Sequence, residues 1–218
     1  MKKRIRRSFY TLVEIMTVIV IAAILFGIGI PAFSTMIQGS NMTIAIRQLS
    51  AKMQAARAYA VSNHCKVALL LMEQESELDN PDHVLSAYRV CLVDGDSSPF
   101  AFQGWVEEEN WKDLPKGILR NALPSSTAEV KIEADTKAKL IDMVGIIGNA
   151  SEAKNIKIKA LVFLPSGQLK QGQEITLRHG RTIISTGTTP KFNVIQTGGT
   201  NHKLTVNQYS GKVSVSIP

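Results

Sequence analysis

The sequence predicts an α+β protein: a long, kinked N-terminal helix whose second half packs on a C-terminal antiparallel β-sheet domain. Three observations predict it. Between Arg7 and Arg47 the one charged residue is Glu14, and Ile15 to Ile37 is a charge-free run of 23 residues. Past that run, Met42, Ile46, Leu49, Met53, Ala56 and Ala60 recur every three or four residues, which is one face of an amphipathic helix. After Asn63 the apolar period falls to two, the period of strands.

Residues 1–9 form a basic leader with Lys2, Lys3, Arg4, Arg6 and Arg7. Positive charge ahead of an apolar segment stays on the cytoplasmic side, so the chain beyond the segment is expected across the membrane. Residues 10–37 form the transmembrane half of the helix, since a charge-free run of 23 residues is roughly 35 Å long as a helix and covers a bilayer's hydrocarbon core. The run is too long for a secretory signal peptide, and no small-x-small cleavage site comes after it. Pro31 lacks an N–H and its ring crowds the preceding turn, which predicts the kink. Residues 38–62 form the amphipathic half, with Ser40, Asn41, Arg47, Gln48, Lys52 and Gln54 off the apolar face.

Residues 63–218 form the β-rich domain. Lys66–Met72 and Ser86–Val93 read as a hairpin with a long acidic connection. Residues 94–127 carry turn formers and two tryptophans and read as loop with short strands. Residues 128–155 mix helical charge spacing with the alternation of Val130, Ile132 and Ala134. Ile156–Leu164, Glu174–Arg178, Lys191–Gln196, Lys203–Asn207 and Lys212–Ile217 read as strands punctuated by Gly167, Gly180, Gly187, Gly198-Gly199 and Gly211.

The formal net charge of +7 is not one basic surface. Residues 1–62 carry +7, residues 63–155 carry −7, and residues 156–218 carry +7, with Glu174 as the one acid among eight Lys/Arg. Cys65 and Cys91 are too few for a disulfide scaffold or a metal site. The hairpin brings them near one another as a candidate disulfide; two small buried hydrophobes is the alternative. No enzyme is expected: His64, His83, His179 and His202 are scattered, and no zinc, Walker, Rossmann or serine-hydrolase fingerprint occurs. No cofactor or metal is called for. Asp94 and Asp96 around Gly95 read as an ordinary turn, and Trp105 and Trp111 as packing.

The stretch Phe9-Tyr10-Thr11-Leu12-Val13-Glu14-Ile15-Met16, succeeded by apolar residues and Pro31, resembles the N-terminal signature of type IV pilins and type II secretion pseudopilins. There F-T-L-[IV]-E-[LI]-[LM] opens the long helix. The resemblance implies a bacterial inner-membrane subunit, single-pass, with its C-terminal domain in the periplasm and no catalytic role. It implies processing and N-methylation by prepilin peptidase, and assembly into a filament with other pilin or pseudopilin subunits on an inner-membrane platform. Glu14 would pair with the terminal amine of a neighbouring subunit, offsetting both charges in lipid. Pro31, seventeen residues beyond Glu14, keeps the family's spacing and makes Tyr10 the first mature residue.

The peptidase cuts after glycine in the family, whereas this register puts Phe9 at that place. A cut between Ser8 and Phe9 comes after a small residue but leaves Glu14 one residue too far. Leu49, Ala55–Ala60 and Val67-Ala68-Leu69, with Phe163–Gly167 and Tyr209–Val213, also resemble minor pseudopilins of the GspH/FimT type. That group implies a minor subunit and opens an alternative, DNA capture through a basic C-terminal third centred on Arg178, Arg181 and Lys203. A permanently anchored protein with an uncleaved leader is the other alternative.

Overall fold

The computed structural model describes residues 11–73, 83–107, 109–132, 156–185 and 191–216, with side chains at all of these except 28–39, 156, 184–185 and 191–193. The chain divides into two compact units, Met1–Ser40 and Asn41–Pro218. One helix, α1 (Leu12–Ser62), supplies the described part of the first unit and opens the second. Pro31 lies inside this helix, in the stretch whose side chains are outside the described residues, and so does the expected kink.

Beyond the helix the described residues form ten strands: β1 (Lys66–Leu71), β2 (Tyr88–Asp94), β3 (Phe100–Trp105), β4 (Ile118–Arg120), β5 (Glu129–Ile132), β6 (Ile156–Phe163), β7 (Gln173–Ser185), β8 (Lys191–Gln196), β9 (His202–Val206) and β10 (Val213–Ser216). The expected hairpin forms, with β1 and β2 antiparallel and Lys66 opposite Val93. The single antiparallel sheet does not. The strands make a closed barrel in the order β1-β2-β3-β5-β6 and a second sheet in the order β10-β9-β7-β4, with β8 also on β7. The reason is β4. After β3 the chain leaves the barrel, adds β4 to β7 in the other sheet, and returns as β5. A parallel pair needs a crossover connection, and this excursion supplies it for β3 and β5. A register shift between Leu92 and Val93 inserts an extra residue into β3, and the added local bend helps so few strands close.

Strand alternation divides the apolar residues into two layers. Ala68, Leu70, Cys91, Val93, Phe100, Val130, Ile132, Ile158, Ala160 and Val162 fill the barrel. Val67, Leu69, Leu71, Val90, Leu161 and Phe163 point out of it and meet Ile175, Leu177, Leu204 and Val206 of the second sheet. The amphipathic end of α1 covers this second layer with Met42, Ala45, Leu49, Met53, Ala56 and Ala60, all buried, and with Ile46 at the margin. The predicted helix face is therefore the packed one, with Ala45 added to it.

The helix ends by a defined stop. His64 takes the left-handed conformation at φ 49°, and the Cys65 N–H donates to Ala60 O at 3.2 Å, the six-to-one bond of a Schellman motif. That motif places an apolar residue after the stop against the last turn, and Cys65 fills the position beside buried Ala60. This corrects the disulfide expectation. Both cysteines are free: Cys65 packs on the helix side of the β1–β2 pair, while Cys91 points into the barrel, and residues on opposite faces of one sheet do not bridge. Burial pushes the Cys91 thiol above its ordinary range.

One charged cluster is enclosed between the sheets. Arg120 of β4 is 1% exposed, and its guanidinium donates to Met72 O, to Asn121 O at 3.0 Å and to Glu73 Oε1 at 3.4 Å. The other Glu73 oxygen lies 2.9 Å from Lys159 Nζ, which donates to Leu123 O at 2.7 Å. Burial holds the Arg120 guanidinium down to about 10, with Glu73 opposing the shift. Removing the carboxylate strands a buried cation, so Glu73→Ala is expected to cost about 3 kcal/mol. Arg120→Met in that background should restore much of the loss. Urea midpoints of the two single variants and the double variant measure this coupling.

Candidate functional site

The site begins at the start of α1. Thr11 precedes the first helical residue, and the Glu14 N–H donates to Thr11 O at 3.1 Å and to Thr11 Oγ1 at 3.3 Å. Thr11-Leu12-Val13-Glu14 is thus an N-cap with glutamate three residues on, the sequence of a capping box. This T-x-x-E signal lies inside the longer motif Phe9–Met16 and is masked by it in the sequence. The position suits a carboxylate on its own account, because the free N–H groups of a first turn favour negative charge. One turn later, Thr17 Oγ1 donates to Val13 O at 2.8 Å and so satisfies its own hydroxyl within the helix.

Around this polar start the helix is apolar on every side. Leu12, Val13, Ile15, Met16, Val18, Ile19, Val20, Ile21, Ile24, Leu25 and Phe26 are between 48 and 77% exposed. Full burial of such a side chain is worth roughly 1.5–3 kcal/mol, and with half to three quarters of each still exposed the set leaves an unmet driving force on the order of 10–20 kcal/mol. Among the described residues no helix is long and apolar enough to cross a membrane. The run predicted to cross, Ile15–Ile37, enters the stretch 28–39, whose side chains lie outside the described residues. Ser8, Phe9 and Tyr10, the candidate processing residues, also lie outside them.

At the far end of α1, three short motifs, the first more than a hundred residues from the other two, come together. Arg57, from Ala55–Ala60, donates its Nε–H to Gly167 O at 2.9 Å in the turn Pro165-Ser166-Gly167. Gly211, from Tyr209-Ser210-Gly211-Lys212, closes over the same atoms at φ +62°. A Cβ built there would lie 2.5 Å from Gly167 O and 2.7 Å from Arg57 Cδ. The arginine and the two glycine turns are one clasp, which spacing in the sequence could not reveal.

The candidate basic residues are only partly united. Arg178 lies opposite Leu119 of β4, half-buried, with its Nε enclosed and unpartnered. Lys203 lies opposite Thr176, two residues from Arg178 along β7, and its Nζ is 2.6 Å from Glu174 Oε2. Arg181 is exposed beyond Gly180, where β7 has changed its partner to β8. One of the three cations is therefore already matched by the only acid of the C-terminal third.

Two other constellations have a plain geometry. His83 Nδ1 is 2.8 Å from Asp113 Oδ1, which also accepts the Ser86 hydroxyl at 3.1 Å, beside a groove of about 550 Å³ lined by Gln48, Ala51, Lys52, Ala55, Tyr88, Lys112 and Asp113. The hydroxyl is bonded to the carboxylate rather than to the imidazole, which is not the order that activates a nucleophile. Burial and the charges of Asp113 and Glu109 push the Tyr88 phenol up. In the turn Asp94-Gly95-Asp96, Lys66 Nζ stands 2.7 Å from both Gly95 O and Asp96 Oδ1, so an ammonium holds the place a cation would take. The Lys66 hydrogen bond and charge hold the Asp96 carboxyl below its usual range.

No protein-family model and no curated protein matches the chain. Among solved structures it is similar to two crystal forms of the type IV minor pilin FimU of Pseudomonas aeruginosa, each at 14% identity. One alignment covers 83% of this chain and 95% of that one with a TM-score of 0.42. The other covers 81% and 96% with a TM-score of 0.39.

The clasp gives a direct prediction. Gly211→Ala adds a side chain where the backbone is left-handed and the space is filled, and is expected to cost about 2–3 kcal/mol. Arg57→Ala removes a charge-assisted bond and should cost about 1.5–3 kcal/mol. Thermal unfolding measures both, and the double variant should lose less than the sum because both substitutions open one contact.

Proposed function

We propose that this chain is a structural subunit, a minor one, of a type IV pilus or a type II secretion pseudopilus, held in the bacterial inner membrane until it is assembled through α1. The observation that carries the reading is the first sixteen described residues of α1. They expose apolar side chains all round and hold a single charged one, Glu14. A helix apolar on every side is suited to lipid or to the interior of a larger assembly. A pilin-like subunit passes from one to the other, so both environments suit the same surface.

On this reading the leader stays cytoplasmic, residues 10–37 cross the membrane, and the β domain lies in the periplasm. Prepilin peptidase removes the leader at Ser8-Phe9 or Phe9-Tyr10, leaving an N-methylated amine. The Glu14 carboxylate then meets the amine of a neighbouring subunit, which offsets two charges that are costly in an apolar setting. Inside one chain Glu14 is accommodated by the Thr11 cap and the helix start. Between chains it would gain a cation. Pro31 removes one hydrogen-bond donor from the helix and would let it bend or melt locally as subunits pack. Partner subunits, the assembly platform and membrane lipid are the partners this reading requires.

The N-terminus of protein purified from native membranes tests the reading first. A mature start at Tyr10 or Phe9, with the mass of one added methyl group, is expected. A chain that retains Met1 in the membrane and never enters filaments would overturn it in favour of a permanent anchor. Glu14→Leu is expected to fractionate with membranes as the parent does and to be missing from sheared filaments or purified pseudopili. Incorporation at parental level would remove Glu14 from assembly.

A further inference from the structure

β7 changes neighbours along its length. Its first half lies between β9 and β4, and from Gly180 to Ser185 its one partner among the described strands is β8. The hydrogen bonds at the change fix the sides. The Gly180 N–H donates to Gly117 O on the side of β4, while His179 O accepts from the Thr197 N–H on the side of β8. Backbone groups alternate sides along a strand, so Thr182 and Ile184 turn their N–H and C=O to the side where β4 has ended. Among the described residues no strand lies along that side of 181–185.

A two-stranded ribbon is marginal in water on its own, and this one is anchored on a single face. Val194 packs against the barrel core, opposite Thr182. The other face carries Ile183 and Ile195, each 38% exposed, and the exposed Arg181 opposite Ile195. The ribbon carries Arg181 and Lys191 and no acid, and Glu174, the last acid in the sequence, is matched by Lys203. Edge strands are usually blunted by an inward charge, a proline or a covering loop. Residues 181–184 have neither an inward charge nor a proline.

We propose that the open edge of β7 at Thr182–Ile184 accepts an extended strand from another protein chain, one with an acidic residue two positions from an apolar one on the same face. The unpaired backbone would supply the pairing, and side chains at alternate positions the selectivity. The apolar residue would lie beside Ile183 and the acid beside Arg181, the cross-strand arrangement that opposite charges favour. A nucleic acid would use the charge of Arg181, and its phosphates accept from isolated amides, but it lacks the regular alternation of donors and acceptors that a strand edge pairs with. The site lies outside α1 and does not depend on the assembly reading.

The test uses the full chain in detergent micelles and a fluorescein-labelled peptide, TETVTETVT, monitored by anisotropy. Its twin TKTVTKTVT and a labelled DNA duplex serve as the other probes. The acidic peptide is expected to bind saturably and the basic one not to bind. Arg181→Glu should weaken binding at least about tenfold, as reversal of an interfacial charge does. Thr182→Pro should abolish it, because the ring removes an outward N–H that the β7–β8 ladder does not use. Far-ultraviolet circular dichroism checks that both variants keep the fold. Should Thr182→Pro not fold, the acidic peptide N-methylated on one edge replaces it and is expected not to bind the parent chain. Equal binding of both peptides, binding that survives Thr182→Pro or peptide methylation, or binding of DNA with neither peptide would each overturn the proposal.

Discussion

The β domain depends on the narrowness of one helix face. Between Asn41 and Ser62, three of the six buried positions of α1 are alanines, and the others are Leu49, Met42 and Met53. Small side chains let the helix backbone come close, so one stripe reaches the outer wall of the barrel and the second sheet together. The two sheets share the helix as their common surface. A bulkier stripe would hold them apart and leave Leu69, Phe163, Ile175 and Leu204 with a gap between them. The polar contacts trim this packing: Lys52 reaches Glu109 at 2.5 and 2.6 Å from one flank, and Arg57 reaches Gly167 from the other.

The same helix carries two different chemistries in sequence. Its first described turns have no apolar stripe, because every direction is apolar, and its last six turns have a strict one. The boundary between these patterns, near Ser40, is also where the chain divides into two units. Composition alone therefore marks the point at which the helix stops being matched to its own domain and offers itself to other surroundings.

Much of this was legible in the residues, for reasons that can be named. The stripe from Met42 to Ala60 was readable because helix burial is periodic, and the β1–β2 pair because both strands are short apolar runs. The division into barrel and second sheet was not. It turns on β4, three residues long, whose Ile118-Leu119-Arg120 carries no strand pattern and whose arginine is buried by contacts with Glu73, 47 residues away. Gly180 is a fair stop signal, which points to an end of β7 at Arg178, yet the strand runs on to Ser185 with β8 beside it. At the candidate site, Glu14 stands out by the cost of its charge, but its local partner Thr11 does not, because a cap is a short polar pattern easily absorbed into a longer motif. The hairpin was readable; that Cys91 lies opposite Ala68, and on which face each thiol falls, required knowing where the helix stops. For the basic residues, counting charges along a segment does not show that Lys203 and Glu174 are neighbours.

The clasp at Arg57 has a consequence for the order in which this chain becomes a structure. Its acceptor comes 110 residues after its donor, and the glycine that closes over both comes later still. β1, too, is completed by β6, about ninety residues on. Closures over such distances give a high contact order and a slow final step. During synthesis, which proceeds from the N-terminus, the helix leaves the ribosome early, yet its stripe is finished only when β9 and β10 arrive. For most of its emergence the helix from Asn41 to Ser62 would carry an uncovered apolar face, exposed to any chaperone or membrane surface in reach.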